Sequence, residues 1–264
     1  MPVSLFTDGL EPTNADATLW RFMEFWKFRN LIETGTLYFC RADKFADDET
    51  EGLPPEEYLP VLRLNPLDIK DRRKIDHHIG SIAQFRQGFF INCWYLGDDD
   101  TAQMWSGRGQ DAVAICCRYS ALKSALAALT DDAYLGLLRY GSAHLTGWNI
   151  MRFITTKRLR YEHEKEVRAL LWIRDERDGI NRHFDENNVP HQRPLMEPPN
   201  PQQGVVRSVN IQKLVSTIVV SPWAADSVLS DVERLVAEAG YSIPVQASEL
   251  TLYRDLLPYD GRTA

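Results

Sequence analysis

The sequence is short of cysteine, and its cysteines do not form a recognisable site. Four are present, Cys40, Cys93, Cys116 and Cys117, with no C-x-x-C pair and no histidine at ligand spacing. Neither a zinc knuckle nor a redox motif is therefore expected. We expect reduced, mostly buried thiols, and the sequence gives no reason to expect a metal cofactor.

A long hydrophobic run is also missing. No stretch approaches the ~18 apolar residues of a membrane span. The first residues, Met1 to Asp8, have neither the basic region nor the apolar run of a secretory signal. These absences predict a cytoplasmic protein that has no membrane partner.

The chain has no surplus of positive charge. Lys and Arg number 30 against 37 Asp and Glu, which gives a formal net charge of −7. A global basic field that attracts nucleic acid is therefore excluded. Two local basic clusters leave local contacts with phosphate open: Lys70, Arg72, Arg73 and Lys74, and Arg152, Lys157, Arg158, Arg160 and Arg168.

The common signatures of nucleotide binding and hydrolysis are absent. There is no G-x-x-x-x-G-K-[ST] motif, and Gly107-Arg108-Gly109 lacks the third glycine of G-x-G-x-x-G. G-x-S-x-G, H-E-x-x-H and H-R-D are missing too. The P-loop, Rossmann, commonest hydrolase, metalloprotease and kinase interpretations are therefore not supported.

What remains is an ordinary globular chain of 264 residues, 44% hydrophobic and 25% charged. Hydrophobic patterns predict strands and helices that interleave without strict alternation. The strands are predicted at 19–22, 36–41, 88–96, 113–118, 137–140, 160–173, 215–220 and 244–248, and the main helices at 25–33, 120–129, 148–158 and 224–239. We predict one α+β domain over residues 1–264 with a mixed sheet flanked by helices, a helical insert at about 54–87 and a long loop at about 175–204.

The most informative segment runs from Tyr161 to Arg168 and continues into an apolar stretch. With the period of a strand, Glu162, Glu164 and Glu166 share one face, roughly 6–7 Å apart. Their repulsion must be met by bases, a cation or a raised pKa, which makes this face a candidate active site. The alternative is a solvated strand face or an exposed helix.

Paired carboxylates on a strand suit a reaction that passes through an oxocarbenium-like ribose. One carboxylate holds a ribose hydroxyl and offsets positive charge at the anomeric carbon, and the second orients an acceptor. A nucleotide donor also needs a cation for its phosphate and an aromatic wall for its base. The candidates for these tasks are Arg21, Tyr38, Arg41, Trp94 and Trp105.

An ordered set of short motifs covers nearly the whole chain. It comprises Leu19-Trp20-Arg21-Phe22, Leu31 to Phe39, Asp43-Lys44-Phe45, Glu51-Gly52, Cys93-Trp94, Met104-Trp105, Tyr161 to Arg168 and Val219 to Pro222. In this order the motifs resemble a widespread prokaryotic family known only as a domain of unknown function. The Met-Trp segment of that family often continues to a Tyr, where this chain has Ser106. The resemblance brings no established activity with it.

Arg21, Tyr38 and Glu164-x-Glu166 also follow one another in the order of the key residues of ADP-ribosyltransferases, which they resemble. This resemblance implies a split, mainly antiparallel sheet and NAD as the substrate. It also implies that Arg21 binds phosphate or ribose, Tyr38 stacks on nicotinamide, Glu166 holds the ribose hydroxyl and Glu164 addresses the acceptor. The alternative for Arg21 and Arg168 is a pair of structural salt bridges to these glutamates.

The leading hypothesis is an ADP-ribosyltransferase or NAD glycohydrolase, serving as an effector in conflict with phage or other cells. Its acceptor is a protein or a nucleic acid. One alternative is a noncatalytic module that binds a nucleotide, a nucleic acid or a protein. Another is a metal-dependent nuclease that uses the face of Glu162, Glu164 and Glu166. The candidate site residues are Glu166 and Glu164 for catalysis, and Arg21, Tyr38, Arg41, Trp94 and Arg168 for binding.

Overall fold

The structure is a computed structural model that describes residues 3–4, 10–45, 50–64, 82, 85–146, 149–173 and 203–256. Most of the predicted loop at 175–204 and the middle of the predicted insert at 54–87 lie outside these residues. Within the described part of the insert, residues Glu56–Tyr58 and Arg86–Gly88 form 3₁₀ turns. None of the described helices is long and apolar enough to cross a membrane.

In the described part of the chain, nine strands form one sheet. Numbered in chain order with the separate parallel pair β6 and β7, the strands are β1 (Thr18–Met23), β2 (Thr36–Arg41), β3 (Phe89–Leu96), β4 (Val113–Arg118), β5 (Asp132–Leu137), β6 (Arg139–Tyr140), β7 (Thr156–Lys157), β8 (Glu166–Trp172), β9 (Gly204–Ser208), β10 (Thr217–Val220) and β11 (Val245–Ala247). Within the sheet only β10 and β11 pair in parallel. The predicted α+β fold with a mixed, mainly antiparallel sheet is confirmed.

The sheet divides along one edge of β3. Strand β1 pairs with the end of β3, where Trp20 lies opposite Tyr95. Strand β2 pairs with the start of the same edge, where Cys40 lies opposite Ile91. From these contacts β1 continues into β4 and β10, whereas β2 continues into β9. The two strands therefore diverge beside Cys93, and we call the gap between them the split.

Side chains that alternate along the strands form two layers. One layer, the main core, joins strand residues such as Leu19, Met23, Leu37 and Phe39 to buried residues of four helices. The opposite face carries smaller clusters, one of them aromatic around Phe22. The helices in chain order are α1 (Phe25–Thr34), α2 (Leu59–Leu64), α3 (Ala102–Trp105), α4 (Tyr119–Ala127), α5 (Ile150–Ile154), α6 (Ile211–Leu214) and α7 (Asp226–Glu238), of which α1, α4, α6 and α7 contribute to the main core.

The strand predicted over 160–173 is wrong in its first half. Residues Leu159–Glu164 form a 3₁₀ helix, Lys165 is left-handed with φ 38°, and β8 begins only at Glu166. The physical reason is the length of β3, because its last partner on β8 is Glu166, opposite Tyr95. The last backbone bond from β3 goes from the Leu96 N–H to the Lys165 carbonyl at 3.0 Å. Residues 160–164 form the 3₁₀ helix instead, so Glu162, Glu164 and Glu166 do not form one strand face. The nuclease hypothesis loses the face on which it rested.

Replacing Lys165 with Val tests this break in the strand. Lysine already carries the strain of a side chain at positive φ, and a β-branched residue adds to it, so we expect Lys165→Val to lower the free energy of unfolding by about 1 kcal/mol. Lys165→Gly, which has no Cβ and tolerates positive φ, is the control and should be at least as stable as wild type. Urea denaturation measures both. A stabilising effect of Val would show that residue 165 is instead in an extended strand.

Candidate functional site

Arg21 occupies the split. Its position between Leu19 and Met23 starts the side chain on the main-core face of β1. The guanidinium then donates hydrogen bonds to the carbonyl oxygen of Cys93 on β3, at 3.4 Å, and to that of Tyr38 on β2, at 3.5 Å. Arg21 therefore links strands whose backbones have moved too far apart to bond directly.

The charge of Arg21 has no carboxylate partner in the described part of the chain. Its contacts there are the two carbonyls and the ring of Trp94, whose centroid is 6.0 Å from the guanidinium carbon. Burial is the main cause that lowers the pKa of Arg21 to about 10; the nearby Arg108 acts in the same direction and Cys93 in the opposite one. A cation that loses hydration without gaining a counter-ion is costly. An anion bound in the split would neutralise it.

Two polar side chains of β3 lie beside Arg21 with unused bonding capacity. Asn92 donates from Nδ2 to the Tyr38 carbonyl at 2.8 Å. Among the described residues, its Oδ1 accepts no hydrogen bond and Nε1 of Trp94 donates none. Both residues are only 1% exposed, and an unsatisfied buried polar atom costs about 1–3 kcal/mol. The split thus holds a cation without a carboxylate partner, together with a buried acceptor and a buried donor that make no hydrogen bond within the described part of the chain.

A second polar cluster lies on the other side of β3. The fully buried Arg168 donates from Nε to Glu166 at 2.8 Å and from Nη1 to Glu51 at 2.7 Å. Nζ of Lys157 lies 2.9 Å from the other oxygen of Glu166 and 2.5 Å from Glu164. We call these five residues the charge cluster. Each carboxylate in it faces a cation, as burial of charge requires.

These contacts determine the protonation of Glu166. Burial opposes its ionisation, but Arg168 and Lys157 outweigh burial and lower the pKa of Glu166 to about 2. Burial and the adjacent Glu166 raise the pKa of the Cys93 thiol well above its usual range. Glu166 is thus a stable anion, with Oε1 hydrogen-bonded to Arg168 and Oε2 facing the Lys157 ammonium. A general base works best with a pKa near the operating pH, so this geometry suits a structural role.

The candidate site residues fall into separate groups. Arg21 and Trp94 meet in the split. Glu164, Glu166 and Arg168 meet in the charge cluster, and there the structural alternative for Arg168 agrees with the observed salt bridges. Strand β3 separates the two groups, because β8 pairs with its opposite edge.

The remaining two candidates lie apart from both groups. Leu37 and Phe39 belong to the main core, so the ring of Tyr38 between them points to the opposite face, where it lies against Gly204. Tyr38 contributes only its carbonyl to the split. Arg41 is buried and pairs with Asp43 at 2.5 Å. The ADP-ribosyltransferase resemblance implies that the side chains of Arg21, Tyr38 and Glu166 meet in one site. In the structure these three side chains do not lie together on one face of the sheet.

Sequence reasoning missed Asn92 in the split and Glu51 in the charge cluster, and it named Lys157 only as a member of a local basic cluster. Asn92 left a readable signal, because it is the one polar residue within the apolar run Phe89 to Leu96. An amide buried in such a strand needs hydrogen-bond partners outside the ladder. Glu51 gave no signal of this kind, because its partner Arg168 is distant in sequence.

In comparisons with known proteins, no family model, no curated protein and no solved structure matches the chain significantly. Both resemblances stay predictions. Among the residues described, no group of three or more His, Cys, Asp or Glu side chains is arranged to hold a metal ion.

Replacing Glu166 with Gln tests the structural role of the charge cluster. Removing one member of a buried ion pair costs about 3–5 kcal/mol, so we expect a loss of this size near pH 7. The ordinary carboxyl pKa is 4.5 and that of folded Glu166 is about 2. Its contribution is therefore complete above about pH 4.5 and is lost as the pH falls towards 2.

Urea denaturation between neutral and acidic pH measures this dependence. The difference in stability between wild type and Glu166→Gln should narrow below pH 4.5. Glu162→Gln, an exposed residue of the same segment, is the control and should change little. A Glu166→Gln protein as stable as wild type near pH 7 would contradict the structural role.

Proposed function

We propose that the protein binds a nucleotide, or a related phosphate ester, in the split. The observation that carries this proposal is the partly buried guanidinium of Arg21, which has no carboxylate partner among the described residues. A planar guanidinium matches the geometry of phosphate oxygens and binds them through charge-assisted hydrogen bonds. The hydrogen bonds from Arg21 to two neutral carbonyls are long and weak, so a phosphate can replace them.

The electrostatic surroundings of Arg21 support an anionic ligand. Arg108, between two glycines with positive φ, is close enough to lower the pKa of Arg21. The carboxylate of Glu24, which Arg108 also influences, already pairs with Lys27 at 2.8 Å. Arg108 thus adds a second positive charge near Arg21 in a chain whose net charge is −7. An anion would relieve the repulsion between the two arginines.

A second candidate function is ADP-ribose transfer or NAD hydrolysis. The observation in its favour is the divided edge of β3, because the ADP-ribosyltransferase resemblance implies a split sheet. For this candidate function, NAD is the substrate and the acceptor is a protein or a nucleic acid. The protein would then act as a cytoplasmic effector against phage. Glu164 has a 28% exposed side chain and pairs with Lys157, so it is more available to an acceptor than the buried Glu166. Because Glu164 and Arg21 lie on opposite sides of β3, nucleotide binding is the leading proposal and catalysis the second.

Replacing Arg21 with Met tests the leading proposal. A hydrogen bond to a charged group contributes about 1.5–3 kcal/mol, so the affinity for ADP or pyrophosphate should fall roughly tenfold or more. Isothermal titration calorimetry measures the affinities, and thermal unfolding checks that the variant remains folded. Arg234→Met is the control, because it removes the same charge from an exposed ion pair.

The control should bind as wild type does. If Arg21→Met and wild type bind the ligand with equal affinity, the ligand does not bind in the split. Failure of wild type to bind any phosphate ligand would reject the proposal altogether.

Release of nicotinamide from NAD tests the second candidate. If the protein transfers or hydrolyses ADP-ribose, we expect turnover by wild type and roughly a hundredfold loss in Glu164→Gln, within the usual range for a positioned acid or base. Glu162→Gln, on the same 3₁₀ helix, is the matched control. If the protein binds NAD but releases no nicotinamide, the second candidate is rejected and nucleotide binding without catalysis is the function.

A further inference from the structure

The unused polar atoms of Asn92 and Trp94 indicate which part of a ligand the split recognises. The amide of Asn92 is oriented by the bond from its Nδ2 to the Tyr38 carbonyl, so the atom left over is the acceptor Oδ1. The indole of Trp94 leaves a donor, Nε1. One acceptor and one donor therefore remain on the same face of the same strand.

The spacing of these two residues suits one planar group. Residues 92 and 94 are two apart on β3, so their Cβ atoms lie roughly 6–7 Å apart on one face. Their polar ends, Oδ1 and Nε1, project from that face without a hydrogen-bond partner among the described residues. A group that offers an N–H next to a carbonyl oxygen can bond to both ends, with ordinary donor–acceptor distances of about 2.9 Å.

We infer that the split recognises a planar amide edge on the same ligand whose phosphate Arg21 binds. The N–H of the ligand donates to Oδ1 of Asn92, and its carbonyl oxygen accepts from Nε1 of Trp94. This edge occurs in the carboxamide of nicotinamide and in the lactam of a nucleobase. The inference rests on the proposed function and specifies the ligand further.

Arg21 lies beside both residues of this pair, because it contacts the Trp94 ring and shares the Tyr38 carbonyl with Asn92. Its guanidinium lies over the Trp94 ring at 6.0 Å and is held by bonds of 3.4 and 3.5 Å. Those bonds are longer than the usual 2.7–3.2 Å of an N–H···O bond. A phosphate that draws Arg21 outward uncovers Asn92 and Trp94. The phosphate and the amide edge are therefore recognised together.

Four probes test the inference by calorimetry on the full chain. Ribose 5-phosphate has no ring, purine riboside 5′-monophosphate has a ring without an amide edge, inosine 5′-monophosphate adds a lactam to that ring, and nicotinamide mononucleotide carries a carboxamide. Two new hydrogen bonds of about 0.5–1.5 kcal/mol each predict that an amide-bearing probe binds roughly tenfold more tightly than purine riboside 5′-monophosphate. A gain confined to one amide-bearing probe identifies a base lactam or a carboxamide as the source.

Trp94→Phe keeps an aromatic ring and removes only the donor. It should weaken the binding of an amide-bearing probe roughly fivefold more than that of purine riboside 5′-monophosphate. Trp26→Phe, at a tryptophan that is 66% exposed, is the matched control. The probe series on wild type remains informative even if Trp94→Phe does not fold.

The outcomes separate the inference from the proposed function. If all phosphate probes bind and the amide edge adds nothing, the inference fails while the proposed function stands. An equal loss for every probe in Trp94→Phe also overturns it. If none of the four probes binds, the proposed function fails and the inference fails with it.

Discussion

The organisation of the molecule depends on one constraint: two strands share a single edge of β3. A strand edge offers one row of backbone donors and acceptors, so β1 and β2 can each pair with only part of it. Between the two pairings the carbonyls of Cys93 and Tyr38 are bonded by the side chains of Arg21 and Asn92. The same divergence brings a cation, an amide and an indole to one point, so the candidate site is a direct consequence of the topology.

The charge cluster neutralises a buried arginine and joins separate parts of the chain. Arg168 is buried in the middle of β8 and its neutralisation requires carboxylates from two parts of the chain, Glu166 beside it and Glu51 in a distant loop. Lys157 adds the link from β7. Such networks fix the relative positions of the elements that they join, because a partner left unpaired in the interior is expensive. The acidic segment that stands out in the sequence is therefore engaged largely in holding the fold together.

The sequence predicted the elements whose patterns are local. The strands near 19–22, 36–41 and 88–96 follow from runs of strand-forming residues, and the end of the first helix follows from Gly35, which has a φ of 64°. Residues 160–165 were predicted wrongly because alternating polar residues do not show that one side of the segment packs against a core. Whether such a segment extends depends on the length of its partner strand, which is tertiary information.

The site was predictable in part for the same reason. Arg21 and Trp94 were identified by residue type, and the structure places them together. The face taken by Tyr38 depends on which neighbours enter the main core, and the engagement of Glu166 depends on Lys157 and Arg168 folding against it. Neither can be read from spacing along the chain. The divided sheet itself was implied by a family resemblance and not by any local pattern.

The most direct test of the account is to follow the tryptophan indole N–H signals by nuclear magnetic resonance while ADP is added, with the Trp94 signal assigned from Trp94→Phe. Our account places the ligand against Arg21 and Trp94. It predicts a saturable shift of the Trp94 signal and an unmoved signal from the exposed Trp26. An unchanged Trp94 signal at saturating ADP, or shifts confined to other tryptophans, would contradict the assignment of the ligand site to the split.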